Sequence, residues 1–260
     1  MENIGEKTIL INDLEVNYKV AGSGPVILVL HGWGSSSDSW TDVMGILSNK
    51  GYRVVCPDFP GFGKSKTPKS VWSVDNYMSW FNGFVQSQNL KDFYLLGHSF
   101  GGRIAIKFSI NHSNVVKNLI LCDSAGIKPK LGFKDTMIAY AAHIGNVIFS
   151  PHILARFKDG ARNIFYSFLR HKDYVKAEGV MREIIKKIID EDLLPRLSEI
   201  QTKTLLVWGK KDKLVPVKYS YVFKEQIKDS VLELLEDVGH SPHVEVPDKL
   251  SNIIVSFLTS

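Results

Sequence analysis

Short apolar runs alternate with longer amphipathic segments along most of the chain. Each run is rich in Val, Ile and Leu and largely apolar on both faces, which is typical of strands buried in a parallel sheet. The runs cover residues 26–30, 52–56, 93–96, 119–122, 204–208 and 231–235. The segments between them have helical spacing, as in residues 103–108. The alternation predicts an α/β fold with a mostly parallel central sheet and helices on both faces.

The two ends of the pattern differ from this regular alternation. Residues 8–11 and 15–20 flank Asn12-Asp13, which predicts an N-terminal antiparallel hairpin ahead of the parallel strands. From residue 128 to residue 195 no buried-strand run occurs, and the apolar positions of residues 174–189 have near-helical spacing. A helical insertion of roughly 65–70 residues therefore interrupts the α/β domain.

Composition excludes several classes of protein. The chain has 260 residues, of which 44% are hydrophobic and 23% charged, as in ordinary globular domains. Cys56 and Cys122 are too few for a disulfide framework or a Cys-rich zinc module. No apolar run approaches the roughly 20 residues of a membrane span. Because the N-terminus lacks a signal-peptide pattern, we expect a cytoplasmic protein without a membrane partner.

The net charge of +5 is concentrated in one segment. Residues 127–196 hold the whole excess of basic over acidic residues, and the two signs are interleaved there. Interleaved charges are typical of a solvated helical surface, so we expect no nucleic-acid partner. Attraction of anionic substrates is the second interpretation of this excess.

The strongest chemical signal is the segment Gly97-His98-Ser99-Phe100-Gly101-Gly102, which lies between a predicted strand and a predicted helix. A tight strand-to-helix turn exposes the serine of such a segment and leaves no room for side chains two residues before and after it. Gly97 and Gly101 satisfy that requirement. Ser99 is therefore the candidate nucleophile.

A second glycine-rich segment, His31-Gly32-Trp33-Gly34, follows the run at residues 26–30. Acyl transfer passes through a tetrahedral oxyanion that backbone N–H groups stabilise. The residue after the nucleophile supplies one donor and the loop after an earlier strand supplies the other. We therefore expect the N–H groups of Phe100 and Trp33 to form the oxyanion hole.

A serine nucleophile needs a base, and the base needs an orienting carboxylate. Asp212 and His240 each follow a predicted strand, at the sheet edge where active-site groups gather in such folds. Ser99, Asp212 and His240 are therefore the expected catalytic residues. Asp123 also follows a strand and is the alternative acid.

Together these segments resemble the α/β-hydrolase superfamily over nearly the whole chain. The matching segments are His31-Gly32-Trp33-Gly34, Asp58-Phe59-Pro60-Gly61-Phe62-Gly63-Lys64-Ser65, Gly97-His98-Ser99-Phe100-Gly101-Gly102, residues 209–216 and Gly239-His240. The order nucleophile, acid, base is also that of this superfamily. The resemblance implies a core of residues 1–126 and 197–260 and a helical cap of residues 127–196 over the pocket.

Apolar cap residues are expected to contact substrate, and the candidates are Met137, Tyr140, Phe165 and Met181. The segment ending in Gly63-Lys64-Ser65 looks like a phosphate-binding loop, but Asp58 stands where that motif needs a glycine. A tight turn is the better interpretation of this segment.

The expected function is that of a serine hydrolase acting on a small acyl compound, a carboxylic ester above all, without cofactor or metal. The expected assembly is a monomer or a homodimer. Carbon–carbon bond hydrolases of ring-cleavage products are an alternative; they usually carry a tryptophan after the catalytic histidine, where this chain has Ser241. A small-molecule receptor or stress regulator that retains the triad is a further alternative.

Overall fold

A computed structural model describes residues 4–128 and 179–260. The strands are β1 (Gly5–Ile11), β2 (Leu14–Ala21), β3 (Val26–Leu30), β4 (Arg53–Pro57), β5 (Phe93–His98), β6 (Val116–Cys122), β7 (Thr204–Gly209) and β8 (Ser230–Leu235). The α-helices are α1 (Thr41–Asn49), α2 (Val74–Ser87), α3 (Phe100–Asn111), α4 (Gly179–Asp190), α5 (Lys218–Gln226), α6 (Pro242–Glu245) and α7 (Pro247–Leu258). Short 3₁₀ helices cover Ser37–Trp40 and Leu194–Glu199.

All eight strands form one sheet in the order β1-β2-β4-β3-β5-β6-β7-β8. The β1–β2 and β2–β4 pairs are antiparallel, and the five remaining pairs of this sheet are parallel. Asn12 and Asp13 join β1 to β2 with φ values of 48° and 61°, the positive values that a tight two-residue hairpin turn requires. The predicted fold class is confirmed.

The boundary of β6 shows where the apolar pattern ends and backbone pairing continues. The predicted run begins at residue 119, but β6 begins at Val116, which pairs with Phe93 of β5. Lys117 and Asn118 lie between these positions and carry polar side chains. Ladder hydrogen bonds join main-chain groups, so the strand includes these two polar positions although they interrupt the apolar run.

Apolar side chains cover the sheet on both faces. One cluster includes Phe81 of α2, Phe108 of α3 and Ile188 of α4. The other includes Met44 of α1 and Ile254 of α7. This arrangement explains why the central strands read as continuous apolar runs, since neither face of them meets water.

Residues 129–178 of the predicted cap lie outside the described residues. The described part of the predicted cap contains α4, which overlaps the segment with predicted helical spacing. Its Ile184 and Ile188 are buried in the apolar cluster that α2 and α3 also line. The N–H of Leu193 donates to the carbonyl oxygen of Gly126 over 2.8 Å. The described residues on the two sides of this gap are therefore joined directly, and residues up to Ile127 and from Gly179 onward form one compact unit.

Buried cations of α3 hold the returning segment. Arg103 donates through Nη1 to the carbonyl oxygen of Glu191 over 2.7 Å. The buried ammonium of Lys107 lies 2.6 Å from the Glu191 carboxylate and 2.5 Å from that of Asp75 on α2. Moving Glu191 away would leave the buried charge of Lys107 without this partner, which is costly. The network therefore holds residue 191 against α3.

Asp58 explains the turn that looks like a phosphate-binding loop. Its carboxylate accepts the N–H of Ser37 over 2.7 Å, the N–H of Lys64 over 2.9 Å and the side-chain amide of Asn17 over 3.0 Å. Gly63 has a φ of 53° and packs directly on that carboxylate, leaving no room for a Cβ. The turn is thus closed around its own anion, which agrees with the tight-turn interpretation.

None of the helices within residues 4–128 and 179–260 combines the length and the hydropathy that crossing a bilayer requires.

Candidate active site

Ser99 lies at the sharp turn between β5 and α3, with a φ of 50° and a ψ of −115°. This is a strained conformation for a residue other than glycine, and such strain persists only where the surroundings enforce it. A Cβ at Gly97 would lie 2.7 Å from the carbonyl oxygen of Gly101. A Cβ at Gly101 would collide with the carbonyl oxygen of Leu30. The two glycines therefore permit the close packing that forms this turn, and Ser99 is half-buried in it.

The structure joins Ser99, His240 and Asp212 in one hydrogen-bonded series. Nε2 of His240 lies 3.0 Å from Oγ of Ser99, and its Nδ1 lies 2.7 Å from Oδ2 of Asp212. An ionised carboxylate only accepts hydrogen bonds, so the proton of the neutral imidazole is on Nδ1. Nε2 is then free to accept the serine proton.

Topology brings these residues together from distant parts of the chain. Ser99 follows β5, Asp212 follows β7 and His240 follows β8, and the carboxyl ends of parallel strands share one edge of the sheet. Asp212 is held in place locally, because its Oδ1 accepts the N–H groups of Leu214 and Val215 over 2.7 and 2.9 Å. Its side chain is fully buried, whereas that of His240 is 15% exposed.

Asp123, the alternative acid, occupies a different place. Its Oδ1 accepts the N–H of Gly209 over 2.9 Å, and within the described residues it makes no hydrogen bond to His240. Burial raises the pKa of Asp123 well above its ordinary value, and the charge of Asp212 raises it further. Asp212, and not Asp123, is thus the carboxylate that contacts His240.

Three hydrogen bonds hold the loop that carries His240. Nε2 of His98 lies 2.7 Å from the carbonyl oxygen of His240. The carboxylate of Glu245 accepts the N–H of Gly239 over 2.8 Å and that of Ser241 over 3.1 Å. Sequence reasoning missed Glu245. The feature that could have indicated it is a carboxylate on the helical turn directly after the histidine loop.

Two uncharged histidines, His98 and His243, pack beside this loop. His243 stacks on Trp40 with the ring centroids 4.2 Å apart, and His98 contacts both rings. Burial lowers the pKa of His243 to about 4 and that of His98 well below its ordinary value. Both side chains are therefore neutral near pH 7; His98 acts through its hydrogen bond and packing, and His243 acts through its stack on Trp40.

The loop after β3 approaches Ser99 closely. A Cβ at Gly32 would lie 2.9 Å from Nδ1 of His98 and 3.3 Å from the Cβ of Ser99. His31 braces this loop, since its Nδ1 lies 2.8 Å from the Gly32 carbonyl oxygen and its Nε2 accepts the N–H of Phe59 over 2.9 Å. Burial lowers the pKa of His31 to about 4, which keeps the ring neutral.

An aromatic cluster lies beside Ser99. The ring of Trp33 contacts that of Phe100 at 5.4 Å and that of Phe62 at 4.7 Å between centroids, both edge-on. Trp33 and Phe62 are half-buried, and Phe100 is buried. The two residues expected to supply oxyanion donors are therefore neighbours through their side chains as well.

Of the four expected cap contacts, Met181 lies in the described structure, and Met137, Tyr140 and Phe165 lie outside it. Met181 is on α4 and covers Gly61, where a Cβ would come within 2.5 Å of its sulfur. Gly61 immediately precedes Phe62 of the aromatic cluster. Met181 is thus near the Phe62 end of the aromatic cluster.

Among the described residues, one group could converge on a metal ion: Asp123, Asp212 and His240. A cation there would have to replace the hydrogen bond between Asp212 and His240. The donor set therefore fits hydrogen bonding within the triad better than metal ligation.

The family model of the alpha/beta hydrolase fold matches residues 25–247. The match covers well over half of the chain, and the chain belongs to this family.

Relatives with named activities extend this result. The chain is 28% identical to a 2-hydroxy-6-oxo-6-(2'-aminophenyl)hexa-2,4-dienoic acid hydrolase of Metapseudomonas resinovorans, over 98% of this chain and 91% of the relative. It is similar to the esterase EaEST from Exiguobacterium antarcticum, with 25% identity, a TM-score of 0.76 and 98% and 99% of the two chains covered. It is equally similar to a serine hydrolase involved in carbazole degradation, with 26% identity, a TM-score of 0.76 and 99% of each chain covered. The chain is an α/β-hydrolase enzyme of the serine-hydrolase type.

Proposed function

We propose that this enzyme hydrolyses carboxylic esters of small acyl compounds through an acyl-enzyme at Ser99. The observation that carries the proposal is the series from Ser99 Oγ to His240 over 3.0 Å and on to Asp212 over 2.7 Å, placed at a strained turn. A nucleophile within reach of a base that is itself oriented by a carboxylate is the arrangement that acyl transfer requires.

In the first half-reaction Ser99 Oγ attacks the ester carbonyl carbon while His240 Nε2 takes the hydroxyl proton. The imidazolium that forms keeps its Nδ1–H on Asp212, whose charge stabilises it. His240 then protonates the leaving alcohol, and the carbon–oxygen bond of the ester breaks. Water attacks the acyl-enzyme with His240 as base, which releases the acid and restores Ser99.

Backbone groups near Ser99 are suited to stabilise the oxyanion. Phe100 begins α3, and the first N–H groups of a helix have no partner within the helix. The carbonyl oxygen of Gly32 is turned toward His31, and a trans peptide directs the N–H of Trp33 to the opposite side. We propose that these two N–H groups bind the oxyanion, which is worth about 2.7–4 kcal/mol per donor in a well-studied protease.

The aromatic cluster favours an apolar acyl group. Trp33 and Phe62 offer half-buried rings beside Ser99, and Met181 of α4 lies against Gly61, the residue before Phe62. We propose that short or medium acyl chains bind here and that the predicted cap of residues 127–196, with Met137, Tyr140 and Phe165, sets their length. The proposed reaction needs no cofactor, metal or macromolecular partner.

Carbon–carbon bond hydrolysis is the second candidate, because the relative of Metapseudomonas resinovorans is named for a dienoic acid hydrolase. Ser241 stands directly after His240, at the position where hydrolases of that kind usually carry a tryptophan. A panel of acyl esters with graded chain lengths, beside a vinylogous diketone, separates the two candidates. Faster turnover of the diketone than of every ester would replace the ester proposal.

A fluorophosphonate tests the nucleophile directly, since only an activated serine attacks phosphorus quickly. We expect one label per chain on Ser99 and none on the Ser99→Ala variant, whose circular dichroism should match that of the parent. Ser109→Ala is the matched control, because Ser109 is buried in α3 away from the turn. Stoichiometric labelling of the Ser99→Ala variant would overturn the assignment.

A further inference from the structure

Two buried carboxyl groups lie side by side behind His240. One carboxyl oxygen of Asp123, one of Asp212 and a ring nitrogen of His240 all lie within 4.8 Å of one another. Both aspartates are buried, and within residues 4–128 and 179–260 neither forms an ion pair with a lysine or arginine. The proposed reaction uses Asp212 and leaves Asp123 without a role.

Hydrogen bonds assign the negative charge of this pair. Asp212 accepts three donors: Leu214 and Val215 N–H on Oδ1 and His240 Nδ1–H on Oδ2. Asp123 accepts the N–H of Gly209 on Oδ1, and among the donors in the described parts of the chain its Oδ2 accepts the Cys122 thiol alone, over 3.8 Å. Ionising both of two neighbouring carboxyl groups in a buried site is unfavourable, and the one that accepts more hydrogen bonds keeps the charge.

A carboxylate has about four acceptor sites. The three donors to Asp212 fill both sites of Oδ1 and one of Oδ2, so one site of Oδ2 remains. The structure assigns this site to Asp123: we infer that Asp123 is a neutral carboxylic acid in the resting enzyme and donates its Oδ2 proton to Asp212. Asp123 is thus a positioning residue, and the inference rests on the proposed function because it acts on His240 through Asp212.

The other groups that face Asp123 agree with a neutral carboxyl. Burial raises the pKa of the Cys122 thiol, so the thiol is uncharged, and β7 contributes the Gly209 N–H. His240, from the loop after β8, is the ionisable group that gains a charge during the reaction. The raised pKa of Asp123 has the direction that burial and the neighbouring Asp212 require.

A neutral Asp123 leaves one negative charge behind the base. A second ionised carboxylate at this distance would favour the imidazolium before substrate arrives, and His240 would then lack the free Nε2 that takes the Ser99 proton. The donated hydrogen bond also fixes the orientation of Asp212. The pair therefore sets the pH range in which the base is active.

Infrared spectroscopy of the resting enzyme tests the protonation of Asp123 without any turnover. The C=O stretch of a protonated carboxyl is separate from the stretches of carboxylates. We expect the difference spectrum between the parent and Asp123→Asn near pH 7 to show the loss of one such band. Asp237→Asn is the control, because Lys211 lowers the pKa of Asp237 and keeps this exposed carboxyl ionised. Absence of the band in the parent would overturn the inference.

The pH dependence of kcat/KM tests the effect on His240. Asparagine can replace both the donor and the Gly209 contact, so we expect the acidic limb of Asp123→Asn to match that of the parent. Asp123→Val removes the donor, which concentrates charge on Asp212 and should move the limb to higher pH by roughly half a unit to one unit. A limb that moves to lower pH in Asp123→Asn would show that a charge was removed and would contradict the inference.

The two readouts separate this inference from the proposed function. If no ester is hydrolysed but the carboxyl band is lost in Asp123→Asn, the ester proposal fails and the proton assignment stands. If esters are hydrolysed with Ser99 labelled but the band is missing, the assignment fails alone. Should Asp123→Val not fold, the infrared comparison and the Asp123→Asn profile still decide the outcome.

Discussion

His98 holds the catalytic loop through a contact between its Nε2 and the carbonyl oxygen of His240, 2.7 Å apart. The residue directly before Ser99, the proposed nucleophile, is thereby hydrogen-bonded to the backbone of His240, the proposed base. Because the His98 ring is buried and neutral, the bond depends on an N–H donor at Nε2 and not on a charge. The distance between Ser99 and His240 thus depends on the buried His98 side chain as well as on the hydrogen bonds within the His240 loop.

Replacing His98 by phenylalanine keeps a ring in this space and removes the donor. We expect kcat to fall by roughly ten- to a hundredfold, since a small displacement of a catalytic group has effects of that size, with KM little changed. Steady-state kinetics on a short-chain ester measures the split. His112→Phe is the control, because His112 stacks on Phe108 at the far end of α3. An unchanged kcat in His98→Phe would show that the bond does not position the base.

Conversion of Asp212 to asparagine should remove the carboxylate that selects the Nδ1–H tautomer of His240. We expect a loss of about 10²–10⁴ in kcat, by comparison with the same change in a serine protease. Asp123→Asn should lose about tenfold or less. Circular dichroism should show both variants folded. The reverse ranking would assign the orienting role to Asp123.

Alanine at Gly101 tests the packing of the nucleophile turn. Its Cβ would collide with the Leu30 carbonyl, which is backbone and has no room to move, so we expect destabilisation of at least about 1–3 kcal/mol. Gly45→Ala is the matched control, since a Cβ there meets no heavy atom within 4 Å and alanine favours the helix by about 0.5–1 kcal/mol. Urea unfolding measures both, and equal stabilities would contradict the packing argument.

Acid should destabilise the fold through its buried histidines. The pKa of His243 falls from 6.5 to about 4 on folding, so the unfolded chain binds more protons between these values. Stability is therefore complete above about pH 6.5 and is lost as pH falls toward 4, by on the order of 3 kcal/mol for such a residue. His243→Phe should keep the stack on Trp40 and show a smaller slope of unfolding free energy against pH.

Urea unfolding at several pH values between these limits measures that slope. Folded His31 has a pKa of about 4 as well and remains in the variant, so a reduced slope rather than a flat one is expected. Identical slopes in parent and variant would show that His243 is not the source.

Several features of this protein followed from local sequence. Gly97, Ser99 and Gly101 are within five residues, and the sterics of a strand–turn–helix connection act over that distance, so the pattern predicted the turn and the position of Ser99 in it. The strands were predicted because burial on both faces leaves a run of apolar residues. The hairpin at Asn12-Asp13 followed from the same kind of short-range constraint.

Other features were decided only by tertiary structure. Asp123 and Asp212 both follow strands that end at the same sheet edge, and which carboxylate reaches Nδ1 of His240 depends on distances that no local pattern encodes. The contact of His98 with His240 joins residues 142 positions apart. The spacing of α4 predicted an apolar face but not that Ile184 and Ile188 would be buried beside α2 and α3. Periodicity shows that a face is buried, whereas the partner that buries it is chosen by packing of the whole chain.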